Sequence, residues 1–240
     1  MKKKILAIIG LRSGSKEIKN KNIKKLGNKP LVGWIIDAAK KSKLINRTIV
    51  STDSKKYAKI ARDFGAETPF LRPKKLAKDS SKELEFIKHM LKWLNKYENY
   101  NPDIIVRLLA TCPFQKTKDI DNVIKIVLYK NYESAVIISK ARQHPEKALK
   151  IIGSKNKKLV SYINNRGEDV GSSGNRQIYT TAYFRANVIA CKTNVLKKYN
   201  SLTSKKVGYL IISEKNSIDI DSKIDLNIAR YFLRNNSKLN

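Results

Sequence analysis

The sequence has few cysteines and histidines and no long apolar run. No stretch of about 18 apolar residues occurs, so the sequence predicts no membrane-spanning helix. Two cysteines, Cys112 and Cys191, are too few for a disulfide framework or a cysteine zinc site. Two histidines, His89 and His144, are too few for a histidine-rich metal centre. Any metal is therefore expected to be a hard cation such as Mg²⁺, held by carboxylates.

The amino-terminal segment has basic residues before a short apolar stretch, which is also how a signal peptide begins. The apolar stretch at 5–10 is too short for that role, and Arg12-Ser13-Gly14 follows it instead of a small-residue cleavage site. We therefore expect a buried first strand and a cytoplasmic protein.

Acidic residues are scarce relative to basic ones. The chain has 51 lysines and arginines against 20 aspartates and glutamates, which gives a net charge of +31. Such a charge is typical of proteins that bind nucleic acid or anionic membranes. The lysines are spread from end to end, however, and aromatic residues do not interleave with them as a base-stacking surface requires. The charge indicates a solvated lysine-rich surface that attracts small polyanions, with no nucleic-acid or membrane partner.

The first 140 residues alternate short apolar strands with amphipathic helices. Strands are expected at 4–10, 47–51, 103–109 and 134–139, and helices from Pro30, from Ser54, near 82–98 and from Thr117. This alternation predicts an α/β fold, in which a parallel sheet is covered by helices on both faces. Such a sheet binds ligands at the carboxyl ends of its strands.

The pattern changes between about 141 and 186, where the chain is polar and contains several glycines. Two interpretations stay open for this stretch: a loose surface excursion or an inserted β-rich arm. Strands are expected again at 187–191 and 207–212, and a last helix at about 222–233. No repeat or low-complexity linker divides the chain, so we expect one domain over residues 1–240.

A basic, glycine-containing loop follows the first strand. It reads Arg12-Ser13-Gly14-Ser15-Lys16 and continues to Lys21-Asn22. Backbone N–H groups in such a loop can point at phosphates, and the basic side chains add positive charge. The loop has the spacing of neither a P-loop nor a dinucleotide-binding fingerprint. Its alternative is a basic surface loop.

Three further positions carry less specific signals. Asp53 follows the second strand and fits the cap of the next helix. Arg72 precedes Pro73 and fits either an anion contact or a surface arginine. Cys112 has no convincing base to activate it, so we expect a small buried side chain and not a nucleophile.

Two acidic residues near the carboxyl terminus, Asp219 and Asp221, are separated by one residue. In an extended segment they share a face, and neighbouring carboxylates repel each other unless a cation neutralises them. The pair therefore predicts a metal site. The alternative is an acidic helix start, because Asp221 and Ser222 lie where an N-cap belongs.

Arginine is uncommon among the basic residues of this chain, yet Arg176 and Arg185 lie close together, with Asn187 beyond them. A guanidinium binds a carboxylate through two hydrogen bonds, which an ammonium group cannot do. The alternative is a chance scatter of surface residues.

Taken together, these segments resemble the acylneuraminate cytidylyltransferase family, the CMP-sialic acid synthetases. The resemblance covers almost the whole chain, and it is strongest at residues 12–16 with 21–23, at 50–54, 71–73 and 111–113, and at 219–221. It implies a Rossmann-like three-layer fold with a mostly parallel sheet, and a homodimer in which residues 141–186 form an inserted dimerisation arm. It also implies transfer of CMP from CTP to the anomeric hydroxyl of a nine-carbon sugar acid, with release of pyrophosphate.

The resemblance also implies a role for each candidate residue. The hydroxyl attacks the α-phosphorus in line, with Arg12, Lys21 and Asp221 as the catalytic residues and no general base identified. The residues expected to bind CTP are Arg12, Ser15, Lys16, Lys21, Asn22, Arg72 and Ser81. The sugar acid is expected at Arg176, Arg185 and Asn187, and Mg²⁺ at Asp219 and Asp221.

Leu109 stands where the family is expected to have a glutamine that helps to bind the sugar. The sugar therefore stays open among N-acetylneuraminic, legionaminic, pseudaminic and related acids. Another nucleotide–sugar pyrophosphorylase on the same fold is an alternative, and it predicts use of UTP or dTTP. A basic nucleic-acid-binding protein is a further alternative, and it predicts binding that weakens steeply with salt.

Overall fold

A six-stranded sheet forms the centre of the molecule. The structure is a computed structural model that describes residues 3–15, 17–154, 157–163 and 179–236. The strands of the sheet are β1 (Ile5–Gly10), β4 (Arg47–Ser51), β5 (Ile104–Leu109), β6 (Ser134–Lys140), β9 (Tyr183–Lys192) and β10 (Val207–Ile212). They lie in the order β10-β6-β9-β5-β1-β4. In this sheet β9 is antiparallel to both of its neighbours, and the other pairs are parallel.

Helices cover both faces of this sheet. They are α1 (Leu31–Lys40), α2 (Lys55–Asp63), α3 (Glu83–Glu98), α4 (Thr117–Tyr129), α5 (Asn194–Tyr199) and α6 (Lys223–Asn236). Apolar residues of α1, α2 and α4 pack on one face, and those of α3 and α5 pack on the other. The predicted three-layer α/β fold with a mostly parallel sheet is therefore confirmed. The short helix α5 is an element that the sequence pattern did not predict.

The strands have continuous apolar sequences because both faces of the sheet are buried. Residues 5–9 of β1 are all buried, as expected for a central parallel strand. The helix predicted after Ser54 begins there, and the Ser54 side chain accepts a hydrogen bond from the Tyr57 amide at 3.4 Å. Gly65 ends this helix with a φ of +83°, a conformation that glycine adopts without strain.

A third, smaller apolar cluster joins the two ends of the chain. It contains Leu26 of the short hairpin of β2 (Lys25–Leu26) and β3 (Lys29–Pro30), together with apolar residues of helix α6 and of the segment before that helix. Ile18 and Leu26 come from the amino-terminal part, and Ile218 and Ile220 come from the carboxyl-terminal part. This packing brings the segment at 217–221 beside the loop that follows β1.

The polar stretch at 141–186 contains a two-stranded antiparallel ribbon, β7 (Leu149–Ile152) with β8 (Lys158–Ser161). The strand predicted from Asn187 begins earlier, at Tyr183, because residues 183–186 pair with β6 in the central sheet. The last four residues of the predicted arm therefore belong to a strand of the core. In the described ranges no helix has the length and apolar character that a membrane crossing requires.

Candidate active site

A cavity of about 560 Å³ opens where β1, β4 and β5 end. Parallel strands that point the same way bring their following loops together at one edge of the sheet. The cavity is lined by Gly10, Arg12, Ser15, Glu17, Ile18, Lys21, Asn22, Arg72, Leu76, Lys78, Asp79, Ser81, Glu83, Phe86, Leu109, Ala110, Thr111 and Asp221. We refer to it as the first cavity.

The first cavity brings together most of the residues predicted to bind CTP. Six of them line it: Arg12, Ser15, Lys21, Asn22, Arg72 and Ser81. The seventh, Lys16, lies outside the described residues. Residues that are up to 69 positions apart in the chain thus share one cavity, which a scatter of surface residues does not explain.

The loop after β1 is fixed by hydrogen bonds to its neighbours. Asp53 accepts from the Ser13 amide at 2.8 Å and from the Ser13 hydroxyl at 2.5 Å. Burial raises the pKa of Asp53, but these two bonds, together with the Asp53 backbone amide and the positive charge of Arg72, hold the pKa below its ordinary value. Asn22 donates to the Arg12 carbonyl at 3.1 Å. The expectation that Asp53 caps the next helix is wrong, since Ser54 has that role.

Two basic side chains of the loop are paired with carboxylates across the first cavity. Arg12 Nη1 lies 2.5 Å from Asp79 Oδ1, and Lys21 Nζ lies 2.7 Å from Asp221 Oδ1. The Lys21 side chain is only 17% exposed, whereas that of Asp221 is 73% exposed. A phosphate chain entering the cavity offers both cations a more highly charged partner than a single carboxylate.

Arg72 forms the buried floor of the first cavity. It is 5% exposed, and it donates from Nε to the Ser51 hydroxyl at 3.0 Å and from Nη2 to the Ser51 carbonyl at 2.6 Å. Its guanidinium lies 4.1 Å from the centre of the Phe86 ring. Burial lowers the pKa of Arg72 to about 10, so the group stays charged at neutral pH. A Cβ on Gly10 would approach Phe86 to 2.7 Å, so this position favours glycine.

A second cavity of about 270 Å³ opens beside β9. Because β9 is antiparallel, its first residues lie at the edge where the parallel strands end. The second cavity is lined by Ser139, Lys140, Arg142, Gln143, Phe184, Arg185, Ala186, Asn187, Ser217 and Asp219. Arg185 and Asn187, both predicted to bind the sugar acid, therefore share this cavity. Arg176 lies outside the described residues.

The acidic pair lies between the two cavities. Asp221 lines the first cavity and Asp219 lines the second. The Ile220 amide between them donates to the Thr111 carbonyl at 2.9 Å, which fixes the segment to the loop after β5. Burial raises the pKa of Asp219, and the negative charge of Asp221 raises it further. Asp219 Oδ1 is buried and makes no hydrogen bond within the described part of the chain.

The start of α6 does not use the Asp221 side chain. The Ser222 hydroxyl accepts from the Asp225 amide at 3.3 Å, and Asp225 Oδ2 accepts from the Ser222 amide at 2.8 Å. This reciprocal pairing is typical of a helix start. Asp221 contributes its backbone amide to this arrangement, at 3.2 Å from Asp225 Oδ2. Its carboxylate is therefore directed to Lys21 and not to the helix end.

Neither cysteine has the environment of a nucleophile. Cys112 is 1% exposed, and burial raises the pKa of its thiol well above the ordinary value. Burial also raises the pKa of Cys191, to about 12. The expectation that Cys112 is a buried structural side chain is confirmed. Among the residues with described placement, no cluster of three or more histidine, cysteine, aspartate or glutamate side chains has the arrangement of a metal site.

The sequence pattern did not identify several polar residues around the cavities. Asp79 and Glu83 line the first cavity, and Lys140, Arg142 and Gln143 line the second. Asp79, Arg142 and Gln143 lie in loops, Glu83 begins α3 and Lys140 ends β6, and at such positions hydrophobic periodicity gives no signal. Arg107 is different, because a charged residue inside a strand with both faces covered is unusual and visible in the sequence alone.

Comparison with known sequences assigns the chain to a family. The sequence model described as Cytidylyltransferase matches residues 6–237, nearly the whole chain. The chain belongs to the cytidylyltransferase family. It is therefore an enzyme, and its polar first cavity lies where a sheet of this class binds its ligand.

Two curated relatives have names that state their activity. An N-acylneuraminate cytidylyltransferase from Escherichia coli is 31% identical over 95% of this chain and 52% of the relative. This cytidylyltransferase therefore spans about half the length of that protein. A CMP-N,N'-diacetyllegionaminic acid synthase from Campylobacter jejuni is 28% identical over 95% of this chain and 94% of the relative.

A solved structure has the same fold. It is a CMP:2-keto-3-deoxy-manno-octonic acid synthetase complexed with CTP, and it matches with a TM-score of 0.68. The match covers 97% of this chain and 99% of that one, at 13% sequence identity. At this identity the likeness supports the arrangement of sheet and helices and nothing finer.

Proposed function

We propose that this cytidylyltransferase transfers CMP from CTP to the anomeric hydroxyl of a nine-carbon sugar acid, releasing pyrophosphate. One observation carries the proposal: two polar cavities meet at the segment that holds Asp219 and Asp221. One cavity contains Arg12, Lys21 and Arg72, which suit a triphosphate, and the other has an arginine and an amide suited to a sugar acid. Both lie at the ligand-binding edge of the sheet.

The first cavity is the site proposed for CTP. Arg12, Lys21 and Arg72 provide three positive charges, and the fixed loop adds backbone donors. Arg12 and Lys21 exchange their carboxylate partners for phosphate oxygens when the nucleotide binds. Ser81 lies on the cavity wall and is assigned to the region of the base. Its hydroxyl donates to the Lys75 carbonyl at 3.0 Å.

The second cavity is the site proposed for the sugar acid. Arg185 binds the carboxylate through its guanidinium, and Asn187 binds a hydroxyl or acyl group. The names of both curated relatives refer to acids of this class, which supports the proposal. Leu109 lines the first cavity and has no polar side-chain group. The proposed recognition of the sugar therefore depends on the polar residues of the second cavity.

The acidic pair fits a Mg²⁺ ion. Mg²⁺ prefers oxygen ligands, and one buried oxygen of Asp219 has no hydrogen-bond partner among the described residues. Asp219 and Asp221 would hold the ion. When bound, it supplies positive charge beside the phosphates and lowers the pKa of a coordinated hydroxyl.

The protein contributes mainly position and charge to the reaction. Arg185 and Asn187 orient the sugar, and the loop after β1 holds the triphosphate, so that the hydroxyl and the α-phosphorus face each other in line. Lys21 and Arg12 stabilise the negative charge that develops on the departing pyrophosphate. The use of CTP, an intracellular metabolite, favours a cytoplasmic location.

A homodimer is part of the proposal, and the β7–β8 ribbon supports it. Ile151 and Leu159 lie opposite each other on one face of the ribbon and are 67% and 47% exposed. A two-stranded ribbon is marginally stable alone, and an exposed apolar patch is typical of an interaction surface. A second copy of the chain is the proposed partner.

Ile151→Asp is expected to convert a dimer into a monomer, because it places a charge in the apolar face of the ribbon. Sedimentation velocity of the wild type and the variant measures this directly. Tyr129→Asp, at an exposed position on α4, is the matched control. A wild type that is monomeric at micromolar concentration contradicts the proposed dimer.

The direct test of the reaction is pyrophosphate release from CTP and Mg²⁺ with N-acetylneuraminic, legionaminic and pseudaminic acids offered separately. We expect release with one of these acids and with CTP in preference to UTP and dTTP. Preference for UTP or dTTP would support another nucleotide–sugar pyrophosphorylase. CTP binding without release from any of the three acids would retain the nucleotide site and exclude the proposed sugars.

A further inference from the structure

Arg107 lies in the wall between the two cavities, and no step of the proposed reaction uses it. It is part of β5 and only 9% exposed. Its Nε lies 3.3 Å from Glu83 Oε1, and its Nη1 donates to the Asn187 carbonyl at 3.3 Å. Glu83 lines the first cavity and Asn187 lines the second. One side chain therefore contacts both walls.

Asn187 lies at an irregularity of the central sheet. Where β9 pairs with β6, Val136 of β6 lies opposite Ile189 of β9, and the next residue, Ile137, lies opposite Ala186. Two residues of β9, Asn187 and Val188, therefore have no partner in this register. Bulges of this kind bend a strand and redirect its side chains, and they are frequent beside active sites.

The second cavity receives polar side chains from the residues just before the bulge and within it. Arg185 and Asn187 lie on either side of Ala186, so both face the same side of the strand and both line the second cavity. With its other neighbour, β5, strand β9 pairs without a break up to the pair formed by Leu108 and Val188. The Arg107 guanidinium then holds the next carbonyl, that of Asn187, just beyond the end of this register.

The charge of Arg107 argues against a space-filling role. Burial lowers its pKa, Glu83 opposes that effect, and the nearby positive charge of Arg185 adds to it. An apolar side chain would occupy this strand position without the cost of burying a cation. The arginine is therefore best explained by its contacts, which are a hydrogen bond to the bulge on one side and, on the other, an ion pair with Glu83 that lacks hydrogen-bond geometry.

We infer that Arg107 is a positioning residue: it fixes the β9 bulge so that Arg185 and Asn187 present their side chains to the substrate of the second cavity. The identity of that substrate rests on the proposed function, whereas the fixing of the bulge does not. The proposed binding of the sugar acid therefore depends on a residue that does not touch it.

The experiment compares Arg107→Met, Arg107→Lys and the matched control Arg47→Met. Arg47 is also a strand arginine paired with carboxylates, in its case Glu67 and Glu98, but it begins the edge strand β4 and lines neither cavity. Two readouts are used: amide hydrogen exchange across β9, and the KM values for CTP and for the sugar acid that the wild type accepts. If Arg107→Met does not fold, Arg107→Lys is used for the test, because lysine keeps the positive charge but lacks the two-pronged hydrogen bonding of the guanidinium group.

We expect both Arg107 variants to exchange faster at residues 185–188 than the wild type, with no change in β1. The KM for the sugar acid should rise by about tenfold and the KM for CTP by less than about threefold. Arg47→Met should change neither KM, even if it lowers the melting temperature. Wild-type exchange at 185–188 in both Arg107 variants overturns the inference. If the wild type turns over none of the acids, faster exchange at 185–188 alone still supports it, and only the proposed substrate fails.

Discussion

Replacing Asp221 with asparagine is expected to reduce turnover by about a thousandfold while the fold stays intact. The change keeps the size of the side chain and removes its negative charge. Asp221 is largely exposed, and its carboxylate contacts Lys21 and not the helix that follows. The loss of a surface ion pair costs little stability, so the melting temperature should stay close to that of the wild type.

The same substitution separates binding from catalysis. Lys21 loses its carboxylate partner in Asp221→Asn and becomes available to phosphate. Binding of CTP without Mg²⁺ should therefore be retained or become tighter, as isothermal titration calorimetry can measure. Pyrophosphate release at saturating CTP and Mg²⁺ measures the lost turnover. Asp63→Asn, at an exposed ion pair on α2, is the control and should behave as the wild type.

Near-normal turnover of Asp221→Asn contradicts a role for this carboxylate in the reaction. Loss of both turnover and CTP binding has a different meaning, because it shows that Asp221 supports the nucleotide site itself. The CTP-binding measurement separates this second outcome from the expected one, in which turnover is lost and binding is retained. Near-normal turnover also requires revision of the proposed metal site, since that site would then have Asp219 as its sole carboxylate.

The sheet and most helices were predictable because strands that are buried on both faces have continuous apolar sequences. Strand β1 has five buried apolar residues in succession, and the β5 segment is almost as apolar. Helix α2 has a serine cap and a terminal glycine at the positions where the sequence indicates them. These signals are local, so a single sequence is sufficient to read them.

The beginning of β9 was not predictable by the same reasoning. Tyr183 and Phe184 are exposed, and Arg185 is polar, so no run of buried residues marks this part of the strand. Its place in the sheet depends on backbone pairing with β6, which is distant in the chain. The bulge at Asn187 depends in addition on the register between these strands, and no local pattern records a register.

The candidate site was predictable as a set of residues but not as a set of contacts. The resemblance of short segments identified Arg12, Ser15, Lys21, Asn22, Arg72, Ser81 and Asp221, which all line the first cavity. It did not indicate that Asp53 anchors Ser13, or that Asp79 and Asp221 pair with Arg12 and Lys21. These contacts join loops that follow different strands. They exist because the third apolar cluster and the sheet edge bring those loops together.

Replacing Arg72 with methionine is expected to raise the KM for CTP by about a hundredfold. Methionine has a similar length and packs well against an aromatic ring, so it fills the space next to Phe86. It cannot donate to the Ser51 hydroxyl and carbonyl, and it removes the buried positive charge from the floor of the first cavity. A charge in a buried site acts more strongly on a bound anion than a surface lysine does.

Arg72→Lys tests whether charge alone is sufficient. An ammonium group cannot stack on Phe86 while making two hydrogen bonds to Ser51, so we expect this variant to recover only part of the lost affinity. Arg62→Met is the control, because Arg62 lies on the exposed side of α2 and donates to Thr68. Steady-state kinetics with CTP as the varied substrate measures all three variants. If Arg72→Met binds CTP as the wild type does, then Arg72 serves the packing of the sheet edge, and the nucleotide depends on Arg12 and Lys21.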